Sequence, residues 1–284
     1  MQSSTGNPLA KHFRQPAIYL KLPSNGKYWP EGSIEMPVSG ELPIYPMTTR
    51  DEIVLRTPDA LLNGEGIVAV IQSCCPAIKD AWQLPNIDLD PILVAIRIAS
   101  YGSDMEVTSK CPHCNNENSN TVNLNMILDR YKMPNFENTL EIEGLTFKLK
   151  PQAYLNTNKN NMIMFEEQKI LQSITDDSVP EEVRTARFEV HMSKLVDLNL
   201  EILTASCEYI RTNQGETVTD YNYILEFFKN ASTKIVKSIR ARLEELAVEA
   251  ALPKMLINCE AVECEKEYEM ALEFNYSSFF AQSS

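Results

Sequence analysis

Four of the seven cysteines stand in two widely separated pairs that could bind one metal ion. Cys111 and Cys114 form a C-x2-C pair in KCPHCNNENSN, and Cys259 and Cys264 form a C-x4-C pair in NCEAVECEKEYEMALEFN. Structural Zn²⁺ sites take four thiolate or imidazole ligands, and a C-x2-C turn presents two sulfurs to one ion because its backbone bends around that ion. An alternating polar and apolar run follows each pair. The sequence therefore predicts one structural zinc site built from these four cysteines.

Two other interpretations of the same residues stay open. The C-x4-C spacing is wider than that of a usual zinc ribbon, so plain or remnant cysteines are an alternative. The motif C-P-H-C also occurs in dithiol oxidoreductases, where the first cysteine lies at a helix N-terminus that lowers its pKa. The residues after Cys114, NNENSN, are typical of a turn and argue against that chemistry. His113, between the first two cysteines, is predicted to point outward and not to bind the ion.

No other group of residues in the sequence predicts catalysis. Histidine occurs three times, and apart from His113 next to Cys114 none stands beside a Ser or Cys. The nucleotide-binding and zinc-protease motifs G-x-x-x-x-G-K-[ST], G-x-G-x-x-G and H-E-x-x-H are absent. Cys74, Cys75 and Cys207 lie in apolar contexts that predict helices, where free cysteine behaves as a small hydrophobic residue. We therefore expect no catalytic and no cofactor-binding residues, and a protein that is not an enzyme.

Composition and charge limit the classes of partner that the protein is expected to bind. The 284 residues are 44% hydrophobic and 23% charged, with a formal net charge of −13 and a pI of about 4.8. An acidic chain without Lys/Arg runs argues against binding nucleic acid and favours protein partners. There is no run of 18 apolar residues that could span a membrane, and MQSSTGNPLAKHF lacks the apolar centre of a secretory signal. A reducing cytoplasm is expected, where cysteines are more often ligands than disulfides.

The periodicity of the chain predicts an α+β fold. Its parts are a mainly helical body, an extended N-terminal arm and a small β, zinc-ribbon-like module closed by the N- and C-terminal Cys pairs. The expected boundaries are 1–46 for the arm with small strands, 47–102 for a small helical subdomain, 103–150 and 254–284 for the β module with its C-terminal tail, and 151–253 for a helical insertion.

Local signals predict where several elements begin and end. Thr48, before an acidic turn, predicts a helix start, a break is expected at Pro58, and a second helix is expected from Gly66 into the cysteines. In IDLDPILVAIRIASYG, Asp90 is the expected N-cap, Pro91 the first helical residue and Gly102 the residue after the helix.

The remaining segments predict a hairpin, further helices and a terminal anchor. LEIEG followed by LTFKLK predicts a β-hairpin. Apolar residues at three- and four-residue spacing predict helices through residues 151–253, including one that continues to CEYI, with TNQGETV as a polar turn. The terminal NYSSFFAQSS combines an aromatic pair with small polar residues, so we expect it to anchor in another subunit.

An ordered set of motifs resembles a known family. GELPIYPMTTRDEIVLRTPDALLNGEGIVAVIQSC, then DLDPILVAIRIASYG, then CPHC resemble the baseplate hub and hub-assembly proteins of T-even-type contractile-tailed bacteriophages. The likeness lies mostly within residues 20–125, and the closing cysteine pair with FNYSSFF fits it. It implies a non-enzymatic part of the tail tip, or a factor that builds the hub and is then left behind.

The first hypothesis is therefore a structural or assembly component of a phage baseplate. Its centre would be fixed by zinc, its partners would be other baseplate, hub and tail proteins in a multi-copy assembly, and its arm and tail would hold neighbouring subunits. It would be found in the virion, and in the host cytoplasm during assembly. The alternatives are a hub-assembly chaperone absent from the mature virion, a zinc-ribbon regulator that binds nucleic acid, and a dithiol oxidoreductase.

Overall fold

The computed structural model describes residues 9, 12–57, 63–174, 181–252, 254–270 and 279–280. Within these residues it has an α+β fold with eight α-helices and ten β-strands. The helices are α1 (Thr49–Leu55), α2 (Glu65–Cys74), α3 (Asn86–Tyr101), α4 (Leu124–Leu128), α5 (Tyr154–Ile174), α6 (Glu181–Ala205), α7 (Tyr221–Asn230) and α8 (Thr233–Ala250). The strands are β1 (Ile18–Leu20), β2 (Leu42–Ile44), β3 (Asp104–Lys110), β4 (Glu117–Asn123), β5 (Thr139–Ile142), β6 (Leu145–Leu149), β7 (Cys207–Arg211), β8 (Thr217–Val218), β9 (Met255–Asn258) and β10 (Glu267–Met270).

All strand pairs within the described residues are antiparallel, and they form four small sheets. Strands β1 and β2 make one pair, β3 and β4 a second, and β9 and β10 a third, while β5, β6, β7 and β8 form a four-stranded sheet in that order. These sheets are distributed among the helices, so the architecture is not a helical body with a single β module attached.

Helix α3 is the centre of the larger of the two main cores, since most of its residues are buried. It ends at Gly102 as predicted, but it begins at Asn86 and not after Asp90, so Asp90 and Pro91 lie inside the helix. The early start depends on a tertiary contact, because the N–H of Asn86 donates to the carbonyl of Gln152 at 2.9 Å. Local capping signals carry no information about such a contact.

The start of the helical subdomain follows the prediction. Thr48 caps α1, and its hydroxyl and the carboxylate of Asp51 form a reciprocal capping box. Helix α2 then runs from Glu65 into Cys74. The break predicted at Pro58 lies outside the described residues.

The N-terminal segment packs on the body of the protein. Leu22, Leu42 and Ile44 are buried in the same core as α3. Arg14 donates from Nη1 to the carbonyl of Pro46 and from Nη2 to the carbonyl of Ser73, each at 2.7 Å. The part of the predicted arm that these residues represent is therefore packed on the folded body.

The buried carboxylate of Asp88 ties this segment to the first turn of α3. It accepts hydrogen bonds from the N–H and the hydroxyl of Ser24 and from Nε1 of Trp29, the last at 2.9 Å. Burial raises the pKa of Asp88, although the donors of Ser24 and Trp29 act to lower it. Asp88 thus stabilises the junction between the N-terminal segment and the main core.

The predicted hairpin forms from strands β5 and β6. Strand β6 pairs on its other edge with β7, Phe147 opposite Ile210. The segment CEYIR, predicted as the end of a helix, is this strand β7, so Cys207 lies in a strand. Phe147, Leu149 and Ile210 are buried in the second core, and this burial outweighs the local helical spacing. The four-part division of the chain stays a prediction.

The end of the chain also differs from the prediction. Most of NYSSFFAQSS lies outside the described residues, but Phe279 and Phe280 are described and are buried in the main core. The Phe279 ring lies 5.6 Å from the guanidinium carbon of Arg97. This aromatic pair is therefore covered by its own chain. Among the described residues, no helix is both long enough and apolar enough to cross a bilayer.

We predict that Asp88→Ala lowers the free energy of unfolding by about 3 kcal/mol or more, because it leaves three donors at Ser24 and Trp29 without their acceptor. Urea unfolding followed by circular dichroism measures this loss. Asp104→Ala, at an exposed strand position, is the control and is expected to change stability by less than about 1 kcal/mol. Equal effects of the two substitutions would contradict the anchoring role of Asp88.

Candidate metal centre

Two β-hairpins present the four candidate cysteines. The pairing of β3 with β4 ends at Lys110 opposite Glu117, and that of β9 with β10 ends at Asn258 opposite Glu267. In both hairpins the first cysteine follows directly after the last paired residue of the first strand. The same local architecture is therefore built twice, from segments far apart in the chain.

The two turns share their backbone geometry. The residue after the second cysteine, Asn115 in one hairpin and Glu265 in the other, has a left-handed conformation with φ of 59° and 44°. Its N–H donates to the carbonyl four residues earlier, at 2.9 Å to Cys111 and at 3.1 Å to Ala261. Ala261 thus occupies the place in its turn that Cys111 occupies in the first.

This correspondence explains the wide C-x4-C spacing. The second hairpin has two additional residues between its strand and its turn, so Cys259 precedes the turn by two positions. The loop still closes, because the N–H of Cys259 donates to the carbonyl of Lys266 at 3.0 Å, as the N–H of Cys111 donates to Asn116 at 2.9 Å in the other hairpin. The additional residues are absorbed before the turn, and Cys259 keeps its place beside the other sulfurs.

The four sulfur atoms form one cluster. All lie within 4.8 Å of one another, with 3.9 Å between Cys111 and Cys264 and 3.5 Å between Cys114 and Cys259. Four sulfurs at 2.3 Å from a tetrahedral zinc ion are about 3.8 Å apart. A disulfide needs about 2.05 Å, and all four cysteines are free. The cluster could therefore hold a metal ion.

The electrostatics of the cluster favour a cation. Burial of Cys111 acts to raise the pKa of its thiol, but the N–H groups of His113 and Cys114 lower that pKa to about 7. At Cys114 the N–H of Asn116 acts to lower the pKa, yet loss of solvent and hydrogen bonds to the other sulfurs raise it to about 12. One thiolate forms readily, but its charge opposes the formation of further thiolates beside it. A divalent ion bound among the sulfurs would remove this electrostatic cost.

A second layer of hydrogen bonds joins the two hairpins behind the sulfurs. The buried hydroxyl of Tyr268 lies 2.6 Å from Oγ of Ser109 and accepts a hydrogen bond from Nδ2 of Asn118 at 2.9 Å. Oδ1 of Asn118 accepts from the N–H of Glu260, also at 2.9 Å. These bonds join the two cysteine loops to each other.

The sequence interpretation missed Asn118 and Tyr268. Each stands four residues after the second cysteine of its pair, which is the one signal that could have identified them. Both are buried, and their side chains bond to each other across the two hairpins. Asn118 is polar, so hydrophobic periodicity predicts the wrong environment for it.

The remaining candidates behave as expected for residues that are not ligands. The side chain of His113 is exposed, and its main-chain N–H, not its ring, contacts the sulfur of Cys111 at 3.4 Å. After Cys114 the chain enters strand β4, so the helix that a dithiol oxidoreductase needs at this point is replaced by a strand. Burial raises the pKa of Cys74 and Cys207 to about 12, which makes both thiols unreactive.

We predict that Tyr268→Phe lowers the free energy of unfolding by about 1 to 2 kcal/mol, because it removes the hydroxyl that joins Ser109 and Asn118. Equilibrium unfolding in urea measures the change. Tyr223→Phe, at a residue that is 67% exposed, is the matched control and should be neutral. A neutral Tyr268→Phe variant would mean that the hydroxyl does not couple the hairpins.

Comparison with known proteins assigns the family. The model of the family described as T4 bacteriophage base plate protein matches residues 16–281, which is nearly the whole chain and includes both cysteine pairs. The comparison with curated proteins found no significant match, and neither did the comparison with solved structures. The family match agrees with the resemblance in the sequence and extends it through the helices of residues 151–253. The chain therefore belongs to the family of T4 bacteriophage base plate proteins.

Proposed function

We propose that this protein is a non-enzymatic structural or assembly component of a phage tail baseplate, at the hub or tail tip of a contractile tail. The observation that carries the proposal is the family match over residues 16–281. The protein would act in the virion tail, after assembly in the host cytoplasm, and would contact other baseplate, hub and tail proteins. We expect no contact with membrane, and the net charge of −13 disfavours contact with nucleic acid.

We further propose that Cys111, Cys114, Cys259 and Cys264 hold one structural Zn²⁺. The four cysteine sulfurs all lie within 4.8 Å of one another, and four thiolates are a ligand set that zinc prefers in structural sites. Four protein ligands leave no open position on the ion for a substrate or an activated water. The site would therefore contribute rigidity, not catalysis.

The physical value of the ion lies in what it joins. The contacts between its cysteines link residues 145 and 153 positions apart in the chain. The apolar cluster around the site is small, with Ile257, Tyr268 and Met270 as its buried members besides two of the cysteines. Metal binding would therefore supply a large part of the stability of this module.

We predict about one equivalent of zinc per chain, and its loss in Cys259→Ser together with a lower melting temperature. Inductively coupled plasma mass spectrometry and thermal unfolding measure the two effects. Cys207→Ala is the control, because Cys207 is buried in the second core and should leave the zinc content unchanged. A metal-free wild-type protein that unfolds cooperatively would contradict the zinc site.

Contacts with neighbouring proteins are better placed on helices α5 and α6 than on the arm and the tail. Phe188, Met192 and Val196 stand at four-residue spacing on one side of α6 and are 51%, 39% and 55% exposed. On α5, Met162 and Phe165 are also exposed. Exposed aromatic and methionine side chains in one region are typical of protein-binding surfaces.

We predict that Phe165→Asp combined with Phe188→Asp reduces incorporation of the protein into tails at least about tenfold, because charges replace apolar contacts. The measurement is quantitative mass spectrometry of purified particles from a complementation experiment. Val248→Asp, at a helix residue that is 76% exposed, is the control. Normal incorporation of the double variant would exclude this surface as a contact.

The same particles distinguish the remaining candidates. A chaperone of hub assembly would be needed for tail formation and yet be missing from mature particles. A zinc-ribbon regulator would bind DNA with an affinity that falls steeply with salt. The loop around the second cysteine pair carries Glu260, Glu263 and Glu265, an arrangement that disfavours contact with phosphates.

A further inference from the structure

Two adjoining cavities form a groove at the junction of the two cores. One has a volume of about 430 Å³ and lies between the start of α3 and the end of α8, while the other has a volume of about 320 Å³ and lies beside β1. Tyr131 and Lys132 line both cavities, so the two cavities adjoin at these residues.

Three lysines give this groove a positive charge. Lys132 and Lys150 line the larger cavity and Lys21 lines the smaller one, against one acidic lining residue, Asp90. Elsewhere in the chain, carboxylates form ion pairs with Lys27, Lys79, Lys110, Lys148, Lys159, Lys194, Lys234 and Lys254. Within the described ranges, no carboxylate lies within ion-pair distance of the three groove lysines. In a chain with a net charge of −13, such a group is a local exception.

A buried donor lies in the same place. The hydroxyl of Tyr131 is shielded from solvent, and no described residue accepts a hydrogen bond from it. Burial and the charge of Asp90 raise the pKa of Tyr131, so the hydroxyl stays protonated and remains a donor. An unsatisfied buried donor is costly, and an acceptor supplied by a ligand would remove that cost.

The walls of the groove are apolar. Phe136, Leu243 and Leu246 line the larger cavity, and Leu22 and Met133 line the smaller one. A small inorganic anion would leave these side chains without a partner. A nucleic acid would meet the repulsion of an acidic protein surface beyond the three lysines. A polypeptide with both apolar and carboxylate side chains matches the walls and the charges together.

We propose that this groove, defined by Lys21, Tyr131, Lys132 and Lys150, binds an extended acidic segment of a partner polypeptide. Apolar side chains of the segment pack on the walls, and its carboxylates pair with the lysines. Binding turns the side chain of Tyr131, so that its hydroxyl, which is shielded from solvent in the free protein, donates to one of these carboxylates. The inference rests on the proposed function, since the partner is then another component of the tail, and it names the chemistry by which that component is recognised.

The test uses the purified full chain and three fluorescein-labelled decapeptides that alternate Leu with Glu, Gln or Lys. Fluorescence anisotropy should show binding of the Leu-Glu peptide, weaker binding of the Leu-Gln peptide and none of the Leu-Lys peptide. Lys132→Glu combined with Lys150→Glu should weaken binding of the Leu-Glu peptide at least about tenfold. Lys229→Glu combined with Lys237→Glu makes the same charge change at exposed positions away from the groove, and should bind nearly as the wild type does.

Tyr131→Phe separates recognition from folding. It should weaken peptide binding several-fold and leave the thermal midpoint unchanged or raised, because the hydroxyl has no acceptor in the free protein. The inference is overturned if the Leu-Glu peptide does not bind, if it binds no better than the other two, or if the groove variants bind it as the control does. Because the titration needs no phage component, such a result combined with normal incorporation into tails would reject the groove and leave the proposed function standing.

Discussion

The meeting of two distant cysteine hairpins constrains the rest of the structure. Cys114 and Cys259 lie side by side although 145 positions separate them, so the chain between them must leave the site and return to it. The segment between them, from β4 through α8, is therefore joined at both ends to one small module. The hydrogen bonds of Tyr268 and Asn118 fix the relation of the two hairpins, and four sulfurs then face one another at distances that suit a single ion.

This segment from β4 through α8 has a core of its own, which explains why such a small module is enough to join its ends. Strands β5 to β8 pack against α7 and α8 around Phe147, Phe228 and Ile239. The cysteine module therefore does not have to order a flexible loop. It joins the two ends of a part of the chain that already has its own core. A metal ion suits that task, because coordination bonds give stability to a cluster that buries few apolar side chains.

Two surfaces of the protein have a chemistry that suits contacts with other proteins. Apolar residues of the N-terminal segment and the aromatic pair Phe279 and Phe280 are packed in the core of their own chain. Exposed apolar side chains on α5 and α6, and the groove around Tyr131, are left for contacts. The two surfaces differ in chemistry, one apolar and one apolar with positive charge, so they would select different partners.

The amino-acid sequence alone was enough to identify the four candidate cysteines, the α+β class, the capped start of α1, the end of α3 and the resemblance to baseplate proteins. These features follow from residue type and short-range spacing. Tertiary structure decided the rest. Pairing with β6 made CEYIR a strand, and a contact with Gln152 started α3 at Asn86. The convergence of the sulfurs and the burial of Asn118 depend on contacts between residues far apart in the chain, which no local pattern encodes.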